Sequence, residues 1–489
     1  MRKSRCPLSC SACNGLSRRE FIVGASAAAG AIIAGCADSM DVGAMTERIT
    51  PAGQARKCRP TVRACFVRRK EDYGMRWPGA VYDGEAARTM YTRQIIAATK
   101  KLGMELDLRP KPIFSPAEAD AWVAESVAAK PDGLLVVLLD RQQHAWPTAN
   151  KAIDSKMPTV IFSPVGSSFT TNTAGPSRKP GCFICSTNDF SQVQYGLKML
   201  HTGAKLRATR CLVIRGNKRS DSVLPHLGIS LRYIPASDFL DEYKRTPETD
   251  EILTMADQYI RRARSQRGPT RQDVINGIKS YAVAGALLKR EQADAITMDC
   301  LGALGNTKVS LPCIAWSRMN DDGIPAACEA DLGAVATHAL VQYLFDRPGF
   351  QQDPVAETAR GAIIGAHCSC ATRLKGFDKP PEPFDIIHHH GNRDAVPRTI
   401  WRPGQRITCA DVLPGTATRP TKLLISAGEV LENVSVPPAG GCVVSVMARF
   451  DNVKDVLAFP GFHQLFFYGD YKDQLAQYCH LFNLEPVIV

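Results

Sequence analysis

Seven residues in succession, Gly133 to Leu139 (GLLVVLL), constrain the fold more than any other stretch. So short a continuous apolar run suits a strand buried on both faces, and such strands belong to parallel sheets covered by helices on either side. The neighbouring sequence supplies those helices. Glu85 to Lys101 has helical spacing, and Trp146 to Ser155 reads as a further helix. Pro116 to Ala129 follows Ser115, which is placed to cap it, and proline suits its first position. Thr61 to Val67 and Thr159 to Ser163 read as companion strands. Strands alternating with helices predict a doubly wound α/β layer.

The alternation restarts after a Gly/Ser/Thr/Pro-rich stretch, Val165 to Gly181. Helix Gln192 to Leu200 leads to strand Arg210 to Arg215. Two helical segments, Glu248 to Arg264 and Arg271 to Lys289, then lead to Ala295-Ile-Thr-Met-Asp299. Beyond about residue 375 short alternating runs take over, Gln405 to Cys409, Lys422 to Ile425 and Val443 to Phe450, with a helix at Lys472 to Phe482. The expected fold class is α/β. Two doubly wound domains, 60–168 and 169–305, precede a β-rich, barrel-like C-terminal domain, 306–489.

The N-terminus reads as an address. In SRREFIVGASAAAGAIIAGC the pair Arg18-Arg19 precedes an Ala/Gly-rich apolar run too short for a membrane span. It resembles a twin-arginine (Tat) export signal, and Ile33-Ala34-Gly35-Cys36 resembles a lipobox with Cys36 as the lipidated residue. Residues 1–36 are therefore expected to be the signal and 37–59 a linker. The Tat translocase is the expected export partner, and the destination is the periplasm or a lipid anchor in the membrane. The C-x3-C-x2-C spacing at Cys6, Cys10 and Cys13 matches iron–sulfur chemistry, but it precedes the arginine pair and is read as coincidence.

The net charge of +12 contains no Lys/Arg run with interleaved aromatics, so nucleic-acid binding is not expected. Of seventeen cysteines, thirteen follow residue 36. Cys182/Cys185 and Cys368/Cys370 are candidate disulfides in an oxidising compartment. Tat export carries folded proteins, so buried, reduced thiols are the larger expectation.

Several ionisable residues stand in apolar surroundings where a lone charge would be costly. Asp299 ends a strand, where open α/β sheets place ligand-binding groups. Glu329 and Asp331 lie in Cys328-Glu-Ala-Asp-Leu-Gly just before a helical pattern, His367 lies in GAHCSC, and His463 in FPGFHQLFF. Two or three carboxylates with one or two imidazoles suit Mn²⁺, Mg²⁺ or Fe²⁺ better than structural zinc. The competing reading makes Asp331 a helix cap, with Glu329 outside it. His388-His389-His390 suggests a metal cluster, but successive strand residues face opposite ways. A sheet edge or a sugar contact is the expectation there.

AITMDCLGALG, LPCIAWSRMNDDGIPAACEADLGA, AHCSCATRLKG, RPGQRITCADVLPG, PPAGGCVVSV and FPGFHQLFFYGDY, in this order, resemble the L-fucose/L-arabinose isomerase superfamily, especially its L-fucose isomerase-like branch. The resemblance runs from about residue 60 to the end. It implies Mn²⁺ held by two acids and a histidine, aldose–ketose isomerisation through an enediol, and a homo-oligomer. The first acid falls on Asp299, the second on Glu329 or Asp331, and the histidine on His463, with His367 near the metal. Asp299 and Glu329 would be the catalytic pair. Trp77, His144, Trp146 and His390 are the candidate contacts for a monosaccharide or glycan-derived sugar. Two departures, Asp299 where glutamate is commoner and Phe462 where a second histidine is frequent, leave a rival expectation: a non-catalytic carbohydrate-binding lipoprotein on the same fold.

Overall fold

Residues Thr61–Val67 form β1, and its side chains divide between two cores. Val62, Ala64 and Phe66 face one, while Cys65 and Val67 face the other. The same division holds along β3 (Gly133–Leu138), so both faces of the apolar run are covered, as a parallel strand requires. With β2 (Glu105–Leu108), β4 (Thr159–Phe162) and β5 (Cys182–Cys185), these strands make a fully parallel sheet of order β2-β1-β3-β4-β5. The helix Pro116–Ala129 begins where expected, with the Ser115 hydroxyl accepting the Glu118 amide and proline in the first turn.

The computed structural model describes residues 48–71, 83–141, 144–434 and 442–489, which belong to one compact unit. Arg18, Arg19, Cys36 and Trp77 lie outside the described residues. Among the described residues no helix is long and apolar enough to cross a membrane. The thirteen cysteines from Cys58 onward are all free, and neither Cys182/Cys185 nor Cys368/Cys370 is bridged.

The second sheet combines β6 (Arg210–Ile214), β7 (Ser220–Val223), β8 (Ser230–Ile234), β10 (Ala295–Met298) and β11 (Ala326–Cys328) in the order β11-β10-β6-β8-β7. All neighbours are parallel except the β7–β8 hairpin. The short β9 (Ser265–Arg267) instead pairs with a hairpin formed later by β14 (Phe384–His389) and β15 (Arg393–Thr399).

The remaining strands close on themselves. They are β12 (Phe350–Glu357), β13 (Ala362–His367), β16 (Arg406–Leu413), β17 (Lys422–Asn433), β18 (Val444–Phe450) and β19 (Gln464–Tyr468). They run β16-β19-β12-β13-β18-β17, and β17 pairs back onto β16. Every ladder in the ring is antiparallel. Closure removes exposed edges. The C-terminal β20 (Glu485–Ile488) adds to β17 in parallel. The fold is thus α/β, with two layers built on parallel strands followed by an antiparallel barrel.

Candidate metal centre between the second sheet and the barrel

β10 and β11 pair in register at Met298 and Cys328, so Asp299 and Glu329 leave neighbouring strands at the same level. β11 is an edge strand, and two buried side chains replace the missing neighbour. The Asn320 amide bonds both Ala326 backbone groups, accepting its N–H at 3.2 Å and donating to its carbonyl at 2.8 Å. Gln351 of β12 accepts the Cys328 amide at 2.8 Å. These bonds fix the approach to Glu329. Glu329 and Ala330 then both adopt left-handed backbone, with φ of 61° and 54°. Side chains with a Cβ disfavour that conformation, and such strain gathers where a group must be aimed.

The barrel supplies the facing groups. β12 lies between β13 and β19, with Asp353 opposite Ala366 and Gln352 opposite Gln464. Asp353, His367 at the end of β13 and His463 just before β19 therefore converge. Ligand atoms of Glu329, His367 and His463 all lie within 4.8 Å of one another. His367 Nε2 is 3.7 Å from Glu329 Oε1, and His463 Nε2 is 3.5 Å from Glu329 Oε2 and 3.2 Å from Asp353 Oδ1. Both histidines are 4% exposed. His463 is itself left-handed, with φ of 55°.

Asp331 and Glu329, equivalent in the sequence, separate here. The Asp331 carboxylate caps the helix Leu332–Phe345, accepting the Ala334 amide at 2.7 Å, and its second oxygen lies 3.0 Å from His463 Nδ1. With Nδ1–H donating to Asp331, His463 turns Nε2 inward, toward the Glu329 and Asp353 oxygens. A carboxylate behind one imidazole nitrogen, with the other nitrogen turned into the site, is how proteins orient metal-binding histidines. Glu329 provides the anionic oxygen, and His367 and His463 provide the nitrogens. Mixed O/N donors of this kind fit Mn²⁺, Fe²⁺ or Mg²⁺.

The electrostatics agree. Hydrogen bonding by His367, then by His463, holds the Glu329 carboxyl well below the usual range. Burial would lower His463, yet Asp331, Asp353 and Glu329 together push it up to about 11. Asp411 on β16, raised to about 7 by burial and by Asp331, adds another acid to this side. Three carboxylates around one imidazole demand positive charge.

Asp299 is not one of the three clustered residues. Its carboxylate caps the short helix Cys300–Leu304 by accepting the Gly302 amide at 3.2 Å, and a Cβ at Gly302 would collide with it. The sugar-contact candidates divide. Trp146 is buried in the core of the first sheet with its indole N–H on the Ser167 carbonyl, and His144 Nε2 lies 3.3 Å from the Arg68 carbonyl. His390 stands away from the Glu329 group, beside Cys368 and His389. Asp353, Gln351 and Asn320 were not singled out by sequence. Asp353 sits in QQDPVAE, where one acid in an alternating strand carries no signal of its own.

No protein-family model and no curated protein matches the chain. Solved structures do match in part. A solute-binding protein of an ABC transporter from Burkholderia multivorans, with an unknown ligand represented as α-D-erythrofuranose, aligns at 14% identity over 60% of this chain and 95% of its own, with a TM-score of 0.19. GanP, a glucose-galactose binding protein from Geobacillus stearothermophilus, aligns at 14% identity over 59% and 92%, with a TM-score of 0.18. Likenesses this slight do not bear on what the chain binds.

One substitution tests the division of labour. Asp331→Asn retains a good helix cap but no longer enforces the charge and orientation of His463. Loss of such a supporting partner is expected to weaken Mn²⁺ binding by about 10–100-fold. Titration of the purified protein with Mn²⁺ measures it, and an unchanged affinity would remove Asp331 from the support of His463.

Proposed function

We propose that the chain binds a monosaccharide at a divalent cation held by Glu329, His367 and His463, and interconverts aldose and ketose forms, as the resemblance to L-fucose isomerase-like proteins implies. The observation that carries this reading is the convergence of those three donors, with Asp331 fixing His463 from behind. A bound Mn²⁺, Mg²⁺ or Fe²⁺ would supply Lewis-acid polarisation of two neighbouring sugar oxygens. A carboxylate oxygen of Glu329 would take the proton from C2 of an open-chain aldose. As the hydroxyl proton passes from O2 to O1, return of the C2 proton to C1 gives the ketose, with no net change in atoms or electrons. Asp299, on the adjoining strand end, is the second acid. Phe462, 61% exposed with its ring centroid 4.4 Å from that of His463, offers an apolar face to a sugar ring. Tat export with lipidation at Cys36 belongs to the same proposal and rests on the sequence.

A specific observation favours a second reading, capture of the sugar without turnover. The Asp299 carboxylate is engaged in capping its own helix, which withdraws the second acid of the expected catalytic pair.

The deciding experiment is NMR of the Mn²⁺-loaded full chain with a panel of aldoses in D₂O. Deuterium at C2, or the appearance of ketose, is the result expected of an isomerase. Saturable sugar binding without exchange would transfer the site to the capture reading.

A further inference from the structure

Immediately after His367 the chain presents Cys368, and the two side chains serve different groups. Successive residues on extended backbone face opposite ways. His367 points to Glu329 and His463, whereas Cys368 Sγ meets ring nitrogens of His389 and His390, all three ligand atoms lying within 4.8 Å of one another. Two adjacent histidines can share a target because the β14–β15 register shifts between His388 and His389 and β14 ends there. The two rings lie 3.9 Å apart between centroids, at 46°. Cys368 and His389 are 5% and 4% exposed. Cys313 shares the buried core cluster of Cys368, and Cys442 packs against it. None of these cysteines is in a disulfide.

We propose that Cys368, His389 and His390 form a second metal site, built for a thiophilic ion of the Zn²⁺ type. One thiolate and two imidazoles are a donor set that zinc takes, with water in the fourth position. The group contains no carboxylate, so it is poorly suited to Mg²⁺ or Mn²⁺ and differs in kind from the centre at Glu329. On binding, the Cys368 thiol releases its proton to solvent and the sulfur lone pair takes the metal. The inference does not depend on the isomerase reading. It ties the β14–β15 hairpin to the end of β13, and so braces the backbone beside His367.

Co²⁺ separates the two sites, because a thiolate ligand gives a sulfur-to-cobalt charge-transfer band in the near ultraviolet and an O/N site does not. The reduced full chain titrated with Co²⁺ is expected to show that band and to lose it on adding Zn²⁺. Cys368→Ser should abolish it while Mn²⁺ binding, followed by electron paramagnetic resonance, persists. His390→Ala, at an exposed position that the fold tolerates, should weaken the band's Co²⁺ affinity at least about tenfold. Glu329→Gln should leave the band intact. Absence of the band in the wild type, its survival in Cys368→Ser, or an unaltered affinity in His390→Ala would each overturn the site.

Discussion

Glu329→Gln is expected to reduce Mn²⁺ affinity by at least about a hundredfold and any sugar turnover by about 10³-fold or more. The carboxylate is the anionic member of the cluster, and the two imidazoles beside it bring no charge to a cation. An amide keeps the shape but loses the charge and one of the two acceptor oxygens. It also loses the capacity to accept a proton from carbon, which by itself contributes roughly 10²–10⁴ in rate. The fold should survive. The side chain is one-third exposed, and its left-handed backbone is set by the Asn320 and Gln351 bonds to β11, which the substitution leaves in place. The check is therefore paired: thermal unfolding without metal should be nearly unchanged, while Mn²⁺ titration and deuterium exchange should both collapse. Exchange that persists with Mn²⁺ bound would place the chemistry elsewhere.

Trp401→Ala should cost about 3–5 kcal/mol, the range for emptying an aromatic site in a packed core. Trp401 is fully buried in the barrel interior with Phe350, Ile407, Leu424, Val444 and Phe466. Its ring meets Phe350 at 5.8 Å and Tyr468 edge-on at 5.1 Å between centroids. Its backbone is held as well, with the Asn433 side chain accepting the Trp401 N–H and donating to its carbonyl, both at 2.8 Å. A barrel wall made of two-sided ladders cannot collapse into the space left behind, so the cavity persists. The midpoint of urea unfolding reads the loss. The centre at Glu329 should weaken along with it, because His367, His463 and Asp353 all stand on this barrel. A destabilisation below about 1 kcal/mol, the size of an ordinary surface change, would show that the barrel repacks.

The elements legible in the sequence are those whose cause is local. Pro116–Ala129 falls on its expected bounds because a cap and a first-turn proline lie within a few residues of each other, and Lys472–Phe482 does so on its apolar spacing alone. The run at Gly133 was legible as a doubly covered strand for the same reason. β12 and the β14–β15 hairpin were not, since half their residues are polar and each also pairs with a strand far along the chain, β12 with β19 and β14 with β9. Glu329, His367 and His463 were visible as costly groups in apolar company. The choice between Glu329 and Asp331 was not, because both precede the same helix and only the position of His463 assigns one to the cluster and the other to the cap.

The sequence by itself determined the alternation of elements, the β character of the C-terminal part and the residue types able to hold a cation. Periodicity and burial cost are properties of short windows. Only the tertiary structure decided that Asp353 joins His463, that Asp299 turns to cap its helix, and that His367 and Cys368 serve different groups. The first and last depend on closing the barrel and on which face of a strand end meets it, and the Asp299 cap on how the chain turns after β10. Asp353 and His463 lie far apart along the chain, where no local pattern reaches.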